Sequence, residues 1–189
     1  MSVIGRVAPF LAGGARIYAT WDPANKGSAI ALSNGNLTTT QTTSAGTAKA
    51  TISMPNGDKW QWEVTLGSAA GNIGIATSSA LTSNWLGQDA SGWALYSGDG
   101  KVYNNNAGTG SFGTFGNGDV ITFLLDLASG TKTWKFKKNG GAIQTLLSSI
   151  NGPFFPAIGN TASADVATAN FGPTLLYPEA GYNLGVYSG

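Results

Sequence analysis

Cysteine and histidine are both missing from these 189 residues. Their absence removes disulfides, thiol nucleophiles, imidazole bases and the usual ligands of zinc and copper. Charge is scarce as well: 10% of residues are charged, against the usual quarter or so, and the net charge is +1. A nucleic-acid surface needs clustered Lys and Arg, because its affinity comes from counterion release. The one local cluster, Lys132, Lys135, Lys137 and Lys138, is divided between two strand faces by alternation. No nucleic-acid partner is therefore expected. No apolar run reaches the ~18 residues of a membrane helix, so no membrane insertion is expected. The opening residues resemble a short signal peptide. Arg6 is their only early positive charge, however, and Gly5, Arg6 and Pro9 break the apolar stretch, so cleavage is not expected.

What the chain has instead is glycine, aromatics and small polar residues. It carries 28 Gly, six Trp, eight Phe and six Tyr. Low charge with few aromatics signals disorder, whereas low charge with this many signals a packed core. Gly, Asn and Ser favour tight turns and aromatics favour strands, so many short strands are expected. The length suits one domain with a full core and is short for two.

Residues 1–16 are small and apolar, with no clear period. They read either as a disordered terminus or as an arm that docks on another chain through Ile4, Val7, Phe10 and Leu11, which are costly to leave in water. From Ile17 the pattern is strand, turn, strand. Ser33-Asn34-Gly35-Asn36 is expected to turn a hairpin, because Asn-Gly supplies the left-handed backbone such turns need. Residues 41–48 read as a loop, and 49–54 as a strand. In 59–66, alternation puts Trp60, Trp62, Val64 and Leu66 on one face. A strand at 72–77 precedes a loop over 78–91, and two strands follow, joined at 97–100. Residues 108–118 are Gly-rich. The most apolar strand is expected at 119–127, followed by a partner with Trp134 and Phe136 inward and Lys135 and Lys137 outward. The last strands fall near 153–159 and 167–172. Only 141–150 suggests a helical turn. Trp62, Leu124 and Phe136 are expected in the core. This spacing predicts an all-β, antiparallel two-sheet β-sandwich. It divides into an arm at 1–16, a sandwich at 17–175 and a C-terminal tail at 176–189.

Several of these segments carry a family pattern. Gly118-Asp119, an apolar strand ending in Leu125-Asp126, Gly130, Trp134 with Phe136, and Lys138-Asn139-Gly140 resemble the signature of the SPRY domain family. Trp60-Gln61-Trp62-Glu63-Val64, Ile73-Gly74-Ile75-Ala76, Leu86-Gly87-Gln88-Asp89 with Ser91-Gly92-Trp93, Phe155-Pro156-Ala157, and Asn170-Phe171-Gly172 resemble its other motifs, in order. The match spans residues 21–172, with the 126–139 hairpin about two residues longer than the family spacing. The resemblance implies a concanavalin-like jelly roll that binds partners through loops at one end, here 78–91 and 97–117. Residues 20–40 are similar to the start of SPRY-like domains in bacteriophage structural proteins.

Chemistry beyond binding finds little support. Asp58, Asp99 and Asp119 sit in Gly- or Asn-containing turns, where Asp caps the backbone, and Asp126 ends a strand. Serine nucleophiles lack a histidine base, and 108–118 lacks the Lys-Ser/Thr of a phosphate loop. No catalytic residue, cofactor or metal is expected. The candidate ligand-binding residues are Trp85, Asp89, Tyr96, Tyr103, Asn104, Asn105 and Asn106, since rigid aromatics beside amides grip a protein strand or stack on a sugar. Trp85 and Tyr103 fit equally well as plain packing residues, and Phe112 and Phe115 are expected to close the sandwich end. The expected function is that of a non-enzymatic phage virion protein, in capsid decoration or in a tail or fibre. Its expected partners are other virion proteins and copies of itself, with a host-surface protein or glycan as a further candidate. The alternative is a free-standing, soluble or extracellular lectin-like adhesion module, and a more remote one is a glycan-cleaving enzyme.

Overall fold

The computed structural model describes residues 15–43, 45–68, 71–160 and 164–189. Among them the chain forms seventeen strands and no helix. The first five are β1 (Ile17–Tyr18), β2 (Trp21–Lys26), β3 (Ile30–Ser33), β4 (Thr38–Gln41) and β5 (Gly46–Ala50). Then come β6 (Lys59–Leu66), β7 (Asn72–Ala76), β8 (Gly92–Tyr96), β9 (Val102–Asn104), β10 (Ala107–Thr109) and β11 (Val120–Asp126). The last six are β12 (Thr133–Lys138), β13 (Gln144–Ser148), β14 (Phe155–Asn160), β15 (Val166–Asn170), β16 (Asn183–Leu184) and β17 (Tyr187–Ser188).

These strands build two large sheets. One runs β10-β9-β8-β7-β14-β5-β2, the other β13-β12-β11-β6-β15-β4-β3, with β16 beside the start of β6. Apart from that parallel β16–β6 pair, the ladders are antiparallel. The sheets bury one aromatic core between them. Phe123 pairs with Trp62 on one side and Phe136 on the other. Its ring lies 5.1 Å from that of Trp62 and 5.3 Å from that of Trp134. Ile73, Ile75, Leu95 and Ile158 meet them from the opposite sheet. Each such aliphatic side chain contributes roughly 1.5–3 kcal/mol of hydrophobic stabilisation when fully buried. Phe115 joins the core and Phe112 packs against it, so both close the sandwich.

The two-sheet sandwich and its hairpin at Asn34–Asn36 match the expectation from sequence; all three turn residues there have positive φ. Several local readings are corrected. Residues 46–48, read as a loop, instead open strand β5, and Gly46–Ala50 is buried along its whole length between β14 and β2. Residues 51–53 leave the ladder, and only Met54 bridges, to Phe154. The suggested helical turn is the edge strand β13.

Leu124 is fully buried, but on the opposite phase from the core. It pairs with Gln61 and Lys135, which lie on the outer face of the sheet. That face is covered by the segment read from sequence as a tail. Glu63, 1% exposed, accepts the backbone N–H groups of Leu176 (2.8 Å) and Tyr177 (2.7 Å) and the Thr122 hydroxyl. Gln61 accepts the Glu179 N–H and donates to the Glu179 carbonyl. Lys137 pairs with the Glu179 carboxylate at 3.0 Å. Beyond this strap, Val186 enters the core and β17 pairs with β1, which brings Ile17 opposite Ser188.

Candidate functional site

The outer face of the seven-stranded sheet has a floor of small side chains, Ala76, Ala94 and Ala157. Small residues let the 77–91 loop lie directly on the sheet, and Ala80 and Leu86 pack down onto that floor. Polar contacts pin the loop. Asp89 accepts the N–H of Ser91 (2.8 Å) and of Leu81 (3.1 Å). The ammonium of Lys49, rising from β5, donates to the carbonyls of Ser78 (2.8 Å) and Ala80 (3.2 Å). Burial lowers the Lys49 pKa, and the nearby carboxylates of Asp89 and Asp22 oppose that shift.

The β9–β10 hairpin then locks onto the loop. Asn105 and Asn106 form its tip with φ of 51° and 62°, the left-handed geometry of a two-residue hairpin turn. Their N–H groups donate to the carbonyls of Asp89 and Gly87, each at 3.1 Å. The Asn104 amide donates to the Gly92 carbonyl at 2.8 Å. Three aromatics fill the angle between loop and hairpin. Tyr103 sits edge-on to Trp85 (5.8 Å) and to Tyr96 (6.1 Å). Two glycines make the fit possible. A Cβ on Gly87 would lie 2.8 Å from the Tyr103 carbonyl, and one on Gly108 would lie 2.9 Å from the Tyr103 ring. The Tyr103 hydroxyl donates to Asp99 at 2.8 Å, and that bond raises its pKa.

The seven residues singled out from sequence thus meet in one patch. They do not play one part. Asp89 and Asn104 are internal fasteners, Trp85, Tyr96 and Tyr103 are half-buried, and Asn105 and Asn106 are exposed at the tip. The patch presents aromatic edges and amides, with the Asp89 and Asp99 carboxylates tied into its hydrogen bonds, and suits contact with another macromolecule. Sequence reasoning missed Lys49, Gly87 and Gly108. Lys49 was expected at the start of a strand, where nothing marks it as a fastener of the loop, and the glycines are two among many.

Two carboxylates elsewhere, Asp126 and Asp119, cap turns. Burial pushes the Asp126 carboxyl up, but Lys59 at 2.8 Å, the Ser129 hydroxyl and the Ser129 and Ala128 N–H groups outweigh it and hold the pKa at about 2. Asp119 caps the Gly116 N–H and pairs with Lys138 at 2.9 Å. Among the described residues no three acidic side chains converge. Ile4, Val7, Phe10 and Leu11 lie outside the described residues.

The family model described as the SPRY domain matches residues 59–174, more than half of the chain. No curated protein matches the chain. Among solved structures, the SPRY domain of human HERC1 superposes with a TM-score of 0.68 at 19% identity, covering 79% of this chain and 96% of that one. A second human SPRY domain gives 0.62 at 20% identity, covering 78% and 98%. The PSpry domain of TRIM65 gives 0.62 at 15% identity, covering 81% and 89%.

Proposed function

The chain belongs to the SPRY domain family, whose members are generally binding modules, and from that premise we propose that it binds a protein partner without catalysis. The partner contacts the patch of Trp85, Tyr96, Tyr103 and the Asn105–Asn106 tip. The observation that carries this reading is the locking of the 77–91 loop to the β9–β10 hairpin. A surface already ordered when free loses little entropy on binding.

In the fuller form of the proposal the module is part of a phage particle, in capsid decoration or in a tail or fibre, attached to a neighbouring subunit by residues 1–16. Three features of the sequence support this: the similarity of residues 20–40 to phage structural proteins, the low charge, and the apolar side chains that precede the first strand. Particle assembly with variant chains tests both parts. Deleting residues 2–15 is expected to abolish incorporation and leave thermal unfolding nearly unchanged. Trp85→Ala is expected to leave incorporation intact and weaken binding to host-envelope protein about tenfold or more, the scale of an aromatic hot spot. Incorporation that survives the deletion refutes the arm. Binding that survives Trp85→Ala refutes the patch, and retention of envelope glycan after protease treatment transfers it to a lectin role.

A further inference from the structure

Lys49 is 6% exposed, and its ammonium carries three N–H bonds. Two of them hold the 77–91 loop, through the carbonyls of Ser78 at 2.8 Å and Ala80 at 3.2 Å. The same side chain lines a pocket of about 110 Å³, together with Asn25 of β2, Ala50 of β5, Ser78, and Phe155 of β14. One N–H is left for whatever enters, and a cation so withdrawn from water gains from a further acceptor. The Asn25 amide nitrogen donates to the Asp22 carboxylate at 2.6 Å, which fixes the orientation of that amide and leaves its carbonyl oxygen to accept. The exposed Ser78 hydroxyl donates or accepts. Ala50 and the half-buried Phe155 ring supply the apolar side.

We propose that this pocket receives the side-chain amide of an asparagine or glutamine from the protein partner. The inference rests on the reading of the chain as a protein-binding module, and it adds a contact on the loop that also carries Trp85. The donor set selects the group. Lys49 offers an N–H to a carbonyl oxygen, and Asn25 offers an oxygen to an N–H₂, so the entering group needs an acceptor and a donor side by side. A primary amide has both. Charge selects it too. The Asp22 and Asp89 carboxylates act on the Lys49 ammonium, so an entering anion meets two like charges and an entering cation meets the ammonium itself. A neutral amide meets neither penalty, and the methylenes that carry it lie against Phe155. The pocket has room for such a group and not for a length of chain.

The test uses propionamide, with propionate and propionamidinium as probes of the same planar shape and opposite charges. Each is titrated into the full chain while nuclear magnetic resonance follows the Asn25 side-chain amide and the backbone N–H groups of Ala50 and Ser78. Propionamide should give saturable shifts at these groups, with either ion bound about fivefold or more weakly. Ser78→Ala keeps the backbone carbonyl that holds Lys49, and Asn25 is exposed, so a chain carrying Ser78→Ala and Asn25→Ala should unfold at nearly the wild-type temperature. It should bind propionamide about threefold or more weakly. Trp85→Ala should leave propionamide binding unchanged. Equal shifts from all three probes, no saturable shift, or wild-type binding by the double variant overturns the proposal. N-acetylglucosamine bound about tenfold tighter than propionamide would give the pocket to a sugar and overturn it as well. If propionamide fails while Trp85→Ala still weakens binding to host-envelope protein, the pocket falls and the patch stands. If propionamide binds as expected but neither Trp85→Ala nor the double variant affects the envelope protein, the protein-binding reading falls and takes the assigned occupant with it.

Discussion

Glu63→Gln should loosen the strap from the sheet, and the size of the effect follows from the contacts. The carboxylate is 1% exposed and accepts the N–H groups of Leu176 and Tyr177 at 2.8 and 2.7 Å, with Thr122 and Asn170 as further donors. Hydrogen bonds to a charged group contribute ~1.5–3 kcal/mol each. A glutamine keeps one acceptor oxygen and turns an N–H₂ toward a backbone N–H that it cannot bond. One of the two strong bonds is lost, and the other becomes a neutral bond of ~0.5–1.5 kcal/mol. Removing the buried charge returns part of that loss, because a neutral amide costs less to bury. The net destabilisation is expected at about 2–4 kcal/mol, or a Tm lower by roughly 4–16 °C for a domain of this size. Thermal unfolding measures the total. Amide exchange at Leu176 and Tyr177 locates it, since those protons should lose protection before the core strands do. A loss below ~1 kcal/mol with both amides still protected would mean that packing, not the carboxylate, holds the strap.

Other expectations follow from the same contacts. Asp126, held at about 2 when folded and near 3.8 in the free chain, contributes stability that is fully present above about pH 4 and disappears as pH falls toward 2. Asp126→Asn should flatten that part of the stability profile, and acid titration followed by fluorescence reads it. Trp62→Ala should cost ~3–5 kcal/mol and Leu124→Ala ~2–5 kcal/mol, although they lie on opposite faces of the sheet. A loss under ~1 kcal/mol at either would contradict the register between β6 and β11. The Tyr103 phenol should titrate above its ordinary value and fall back toward it in Asp99→Asn, as monitored by ultraviolet absorbance. No glycan in a cleavage panel should be turned over, and activity abolished by Asp89→Asn, Asp99→Asn or Asp165→Asn with folding intact would overturn the binding-module reading.

The sequence by itself was enough wherever the cause is local. Period-two alternation places Trp60, Trp62, Val64 and Leu66 on one face, and Trp134 and Phe136 opposite their lysines, because neighbouring Cβ atoms on a strand point to opposite sides. Asn34-Gly35-Asn36 marks a hairpin because so few residues tolerate positive φ. The candidate patch was legible in part for the same reason: aromatics beside turn-forming asparagines are visible one segment at a time. Tertiary structure decided what no segment contains. Small residues at 46–48 join a strand only because β14 and β2 enclose them. Leu124 is buried only because residues 174–184 cross the outer face. Glu63 could be placed on that face from alternation, but its partners lie 113 and 114 positions away. Trp85, Tyr103 and the Asn106 tip became one surface when the hairpin docked on the loop. Such contacts depend on where the whole chain has brought two segments together, and local propensity carries no record of that.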